Sequence, residues 1–100
     1  MPTKDFAEHL RQDRRLVLLR LLAEMTAYKA NSSVLYVALE QFGHSTTRDQ
    51  VKTELRWLEE QALVVVEEAG PVLVATLRER GQDVAKGRAT VPGVARPGAA

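Results

Sequence analysis

Apolar residues recur at helical spacing through the first 28 positions of the chain. Leu10, Val17, Leu21 and Met25 share one side, and Leu18 and Leu22 widen the stripe. Arg11, Asp13, Arg14, Arg15, Arg20 and Glu24 fill the other side. Gly and Pro are absent after Pro2, so the pattern predicts one helix over about residues 4–28, with Pro2 and Thr3 as a frayed or capped start.

The run Ala30-Asn31-Ser32-Ser33 breaks this period and offers an N-cap at Ser32 or Ser33. A second helix then reads from Val34 to Phe42, with Val34, Leu35, Ala38, Leu39 and Phe42 on its apolar face. Gly43 stands where a left-handed helix end is wanted. His44-Ser45-Thr46 makes a tight turn, and His44 is expected to face solvent. Thr46 and Asp49 form a variant capping box for a third helix, from about Thr47 to Glu60 or Gln61. Val51, Leu55 and Leu58 form its buried face.

The spacing then changes. Leu63 to Glu68 is a β-branched run, Ala69-Gly70-Pro71 is turn chemistry, and Val72 to Ala75 is a return strand. Thr76 and Glu79 read as a further capping box that opens a short helix, from Leu77 to about Lys86, which Gly87 ends. Residues 88–100, RATVPGVARPGAA, carry prolines, glycines and few large apolar groups, and read as a tail that is mobile or draped over the surface. Three helices followed by a two-stranded hairpin and a short helix are the outline of an α+β winged helix-turn-helix. The expected organisation is one such domain over residues 1–87 and a flexible C-terminal tail over 88–100.

Composition narrows the classes. One hundred residues support one core, and 45 % apolar content excludes a disordered chain. There is no cysteine, hence no disulfide framework and no thiolate metal site. Lys4, Asp5, Glu8, Arg11, Asp13, Arg14 and Arg15 interrupt the N-terminal stretch, and the longest apolar-rich stretch, Leu16 to Leu22, carries Arg20 and is too short to span a bilayer, so no signal peptide or membrane span is expected and a cytoplasmic location is. His9 and His44 stand far apart, and no set of residues has metal-ligand spacing. The paired glutamates Glu59-Glu60 and Glu67-Glu68 diverge as sequence neighbours and make poor acid/base pairs. With no phosphate-binding glycine loop and no nucleophile motif, the chain does not read as an enzyme, and no cofactor is expected.

Four strings, FAEHLRQDRRLVLLRLL, ANSSVLYVAL, TRDQVKTELRWLEEQALV and LRERGQDVAKGRATVPGVARP, together resemble the small winged-helix proteins of Mu-like bacteriophages and prophages. That family is described as similar to arsenic-repressor-type regulators. The resemblance spans nearly the whole chain and implies a phage role without defining it. One departure is local. Winged-helix chains often carry Gly before the first wing strand, whereas here the string is Ala62-Leu63-Val64. A left-handed Ala62 would cost roughly 1 kcal/mol relative to Gly.

A helix-turn-helix makes double-stranded DNA the first partner to consider. On the third helix Arg48, Lys52 and Arg56 stand at i, i+4 and i+8, away from the buried stripe, with Thr47, Gln50 and Thr53 beside them. Arg suits guanine edges, Gln suits adenine, and Lys and hydroxyls suit phosphates. These six residues are the candidate DNA-binding set. The same residues also read as a solvated helix face with local ion pairs. Net charge is +1, and the excess positive charge lies at the chain ends. The wing tip, Glu67-Glu68-Ala69-Gly70-Pro71, carries no cation and would repel phosphate. Arg11, Arg14, Arg15 and Arg20 form the densest basic cluster, which reads either as a contact for phosphates or an acidic partner or as a solvent face with Glu8 and Asp13 as ion-pair partners. Trp57 reads as packed under the wing, with an exposed interface anchor as the alternative.

Two functions follow as expectations: a phage DNA-binding transcriptional regulator, or a protein-interaction adaptor in phage morphogenesis or DNA packaging. A homodimer fits both, because the first helix carries a wider apolar face than so small a core needs.

Overall fold

The computed structural model of the chain describes residues 4–98. The expected start at Pro2 and Thr3 lies outside them. Helix α1 spans Lys4–Glu24, strand β1 Lys29–Asn31, helix α2 Ser32–Gln41 and helix α3 Arg48–Glu60. Strand β2 (Val64–Ala69), strand β3 (Val72–Leu77) and helix α4 (Glu79–Ala85) complete the order. The fold is α+β and winged helix-turn-helix, as the residue pattern predicts, with one added strand.

That strand corrects the reading of α1. The helix ends at Glu24, not Tyr28, because a single 3-10 turn over Thr26–Tyr28 holds Ala27 and Tyr28 both at φ 57° and reverses the chain. The chain then runs antiparallel to β3, pairing Lys29 with Thr76, Ala30 with Ala75 and Asn31 with Val74. The sheet is therefore three-stranded, in the order β1-β3-β2. Three residues give no readable alternation, and β1 exists because β3 supplies its partners.

The phase of α1 is also shifted. Leu16, Leu18, Leu19 and Leu22 are buried, Val17 and Leu21 are half-buried, and Leu10 is 38 % exposed. The core stripe thus runs through the second half of the helix and leaves a second apolar stripe outside. On α2, Leu35 and Leu39 are buried, but Val34 and Phe42 point to solvent.

Capping chemistry moves by one residue in two places. Asn31, not a serine, caps α2: its Oδ1 accepts from the Val34 N–H at 2.9 Å. Ser32 is buried, and its Oγ accepts from the Leu73 N–H at 3.0 Å, fastening α2 to β3. The box opening α3 is Thr47 with Gln50, not Thr46 with Asp49. The Thr46 hydroxyl is instead buried without a partner among the described residues. The expected box at α4 does not form either. Thr76 belongs to β3, and the N-cap is Arg78 with no side-chain bond.

Val51, Leu55 and Leu58 of α3 are fully buried, as their spacing predicts. Ala62 adopts φ 63°, so that junction takes the left-handed shape, rather than a differently shaped turn, despite the missing glycine. In the wing, Ala69 pairs with Val72 across the Gly70-Pro71 turn. Gly81 in α4 lies so close to the Leu63 carbonyl that a Cβ would sit 2.2 Å from its oxygen. No helix among the described residues is long and apolar enough to cross a membrane.

The segment read as a flexible tail is anchored. Val91 and Val94 are 5 % and 7 % exposed and belong to the core. The Ala95 N–H donates to the Gln12 carbonyl at 3.1 Å, so the segment crosses α1. Two valines spaced three apart, with hydrogen bonds at Gly93 and Ala95, dock it, which composition alone does not reveal.

Candidate nucleic-acid interface

The capping box fixes the start of α3 and with it the direction of the exposed helix face. Thr47 Oγ1 accepts from the Gln50 N–H at 3.1 Å, and Gln50 Oε1 accepts from the Thr47 N–H at 2.9 Å. Gln50 thereby spends its oxygen on the cap and keeps its amide nitrogen for an outside acceptor. Thr47, Arg48, Gln50, Thr53 and Arg56 are exposed, and Lys52 is half-buried. Around α3, Lys52, Arg56 and Thr53 lie on the side away from Val51, Leu55 and Leu58, while Thr47, Arg48 and Gln50 reach solvent in its first turn.

The three cations are not equivalent. Arg48 places its guanidinium 4.8 Å from the Tyr36 ring centroid and donates to Ser33 Oγ. It therefore bridges α3 to the first turn of α2. Lys52 donates from Nζ to the Pro71 carbonyl at 2.8 Å, tying α3 to the wing turn. With Ser32, Ser33, Pro71 and Val72, the two cations line a cleft of about 210 Å³. Arg56 faces carboxylates instead: Glu59 Oε1 lies 3.1 Å away and Glu68 Oε2 3.4 Å away. The basic end of the face is thus the N-terminal half of α3, beside the start of α2. The C-terminal half is neutralised by the wing.

This contact explains the acidic wing in part. Glu68 leans on α3, and a second groove of about 480 Å³ opens between them, lined among others by Thr53, Arg56, Trp57 and Glu68. Glu59 serves the wing as well, since its Oε2 accepts from the Val66 N–H at 3.2 Å on the outer edge of β2. An edge N–H satisfied by a side chain is not open to another strand.

The basic cluster on α1 is not a surface patch. Arg11 pairs with Glu8, as expected, but Arg14 and Arg15 turn inward to Glu54 at 3.4 and 2.8 Å. Arg15 is 8 % exposed and also donates to the Gly93 carbonyl at 3.1 Å. Trp57 lies beneath Arg15 and against Gly93, between α1 and the C-terminal segment, while its other side meets the wing groove. His44 is 6 % exposed, against the expectation that it faces solvent. Its Nε2 lies 2.7 Å from Asp13 Oδ2, which pins the helix-turn-helix turn to α1. These long-range pairs, 31 and 39 residues apart in sequence, leave no local signal. Ser33 and Tyr36 join the interface only through Arg48, and spacing within α2 does not point to them.

Comparison with known proteins agrees with this architecture. No family model matches the chain. Among solved structures, an apo-form mutant of Lactococcus lactis ZitR superposes with a TM-score of 0.60 at 26 % identity, covering 84 % of this chain and 59 % of that one. An uncharacterized protein of Haemophilus influenzae is 43 % identical over 76 residues, which are 75 % of this chain and 74 % of that protein. The uncharacterized protein gp26 of Escherichia phage Mu is 50 % identical over 88 residues, 88 % of this chain and 91 % of gp26. A winged-helix chain matched over that share of its length belongs to the family of phage Mu gp26.

Proposed function

We propose that the protein is a phage winged-helix DNA-binding protein that acts as a transcriptional regulator in the cytoplasm of the bacterial host. One observation carries this reading. Arg48, Lys52 and Arg56 line one solvent-accessible stripe of the second helix of a helix-turn-helix, with Thr53, Gln50 and the cap residue Thr47 on the adjoining surface, and the most basic end of the stripe adjoins the start of α2. In such a motif this helix enters the major groove while the preceding helix meets the backbone. Arg48, with Ser33 beside it, suits a phosphate at that junction, and Lys52 suits a second one near the wing turn. Gln50 and Thr53 then face base edges. The kinship with arsenic-repressor-type regulators belongs to this reading as a likeness of architecture.

The adaptor reading keeps one observation of its own. Glu68 and Glu59 occupy Arg56, the Pro71 carbonyl occupies Lys52, and Ser33 with the Tyr36 ring occupies Arg48, so all three cations already have partners and one of them is paired with carboxylates. A surface so neutralised suits a protein partner better than a phosphate backbone.

Anisotropy of a labelled random duplex, titrated at several salt concentrations, decides between them. DNA binding through this face requires affinity to fall with salt, with the slope losing about 0.9 per phosphate contact when Arg48 or Lys52 becomes Ala. No binding at low salt, or binding indifferent to these two replacements, removes the recognition-helix reading and leaves the adaptor.

A further inference from the structure

The outer side of α1 is apolar where a solvent face should be polar. At about 100° per residue, Phe6, Leu10, Val17 and Leu21 fall within about 60° of one another, on the side away from the buried leucines. Phe6 and Leu10 are exposed toward the start of the stripe, and Phe42, at the end of α2, is 62 % exposed beside Val17 and Leu21 at its other end. Val17, Arg20, Leu21, Glu24 and Phe42 enclose a groove of about 250 Å³. Nothing in the DNA-binding reading uses this face. A contiguous apolar patch rimmed by charge marks an interaction surface.

The charges along its rim name the partner. Asp13, Arg20 and Glu24 lie on one edge of the stripe. Arg20 and Glu24 form no ion pair among the described residues. The Asp13 side chain remains 49 % exposed although one oxygen meets His44. An acid and a base on the same edge, seven residues apart, complement a second copy of themselves when two helices run antiparallel. A two-fold axis returns the same edge to the same side and exchanges the two ends. Asp13 of one copy then faces Arg20 of the other, twice, with the axis at the level of Val17. The same placement sets Leu10 level with the far end of the groove, against Leu21 and Phe42 of its mate. Both apolar filling and charge pairing are satisfied by one operation.

We infer that the chain forms a two-fold dimer through this face of α1, with Phe42 at its margin. The absence of cysteine from the sequence makes a direct test available. In a Val17→Cys variant the only two thiols of a dimer meet near the axis and oxidise to a disulfide, whereas Val65→Cys, exposed on the wing, does not cross-link. Sedimentation of the native chain gives twice its 11.1 kDa mass. Arg20→Asp and Phe42→Lys, both on exposed side chains, shift it to a monomer with an unchanged circular dichroism spectrum. A native chain that stays monomeric at its highest soluble concentration overturns the inference, as does a dimer that survives both replacements. Equal cross-linking at positions 17 and 65 does the same. None of these measurements involves DNA, so their failure is separate from that of the recognition-helix reading.

Discussion

Arg15 lies over the indole of Trp57, its guanidinium carbon 3.7 Å from the ring centroid. The same guanidinium meets Glu54 on α3 and the Gly93 carbonyl of the C-terminal segment. One side chain of α1 therefore closes three parts of the molecule over a cation–π contact and a buried ion pair. The helix that carries the candidate DNA-binding face is held from behind by this cluster.

Removing the acid should be costly. Glu54 is 5 % exposed and faces two arginines, Arg14 and Arg15. Glu54→Ala leaves buried cations without a counter-charge, which costs about 3–5 kcal/mol. Urea denaturation measures it. A loss below about 1 kcal/mol, the range of exposed pairs, would show that water screens the cluster.

The C-terminal segment should matter for stability. Ending the chain at Ala89 removes Val91 and Val94, and burying one such side chain is worth about 1.5–3 kcal/mol. Gly93 offers a finer probe. Its φ is 99°, and a Cβ there would lie 2.7 Å from the Trp57 ring. Gly93→Ala should lower the melting temperature and change the tryptophan emission. A truncated chain that melts with the parent would mean the segment is not docked.

Position 62 should tolerate improvement. Ala62 at φ 63° pays a conformational cost that glycine does not. Ala62→Gly should stabilise the fold by up to about 1 kcal/mol, offset in part by the greater freedom of the unfolded chain. Thermal melting of the two chains side by side gives the sign, and a less stable glycine variant would refute the strain.

Glu68 should oppose DNA. Its carboxylate lies 3.4 Å from Arg56 and is 78 % exposed. Glu68→Gln leaves Arg56 paired with Glu59 alone and removes a repelling charge, so duplex affinity should rise and its salt dependence steepen. Unchanged binding in the Gln variant would place the wing away from the phosphates.

Where spacing alone decides structure, the chain was readable. Val51, Leu55 and Leu58 announced α3 and its phase, and the β-branched run from Val64 announced the wing. The candidate DNA-binding residues follow from that phase. What stayed hidden depends on partners distant in sequence. β1 forms only against β3, and Arg15 is inside only because Glu54 meets it. His44 is inside only because Asp13 does. α1 was misphased because it carries two apolar stripes, and one sequence cannot say which of them faces its own core.

The three residues Asn31, Ser32 and Ser33 act together as a tether. Asn31 ends β1 and caps α2, Ser32 holds the backbone of β3, and Ser33 receives Arg48 of α3. Wing and helix pair are thus stitched at one corner, with Lys52 adding a second stitch at the wing turn. These contacts brace α3 against the sheet. Under the proposed DNA-binding reading, a groove of different width would therefore have to adapt to the protein rather than the protein to the groove.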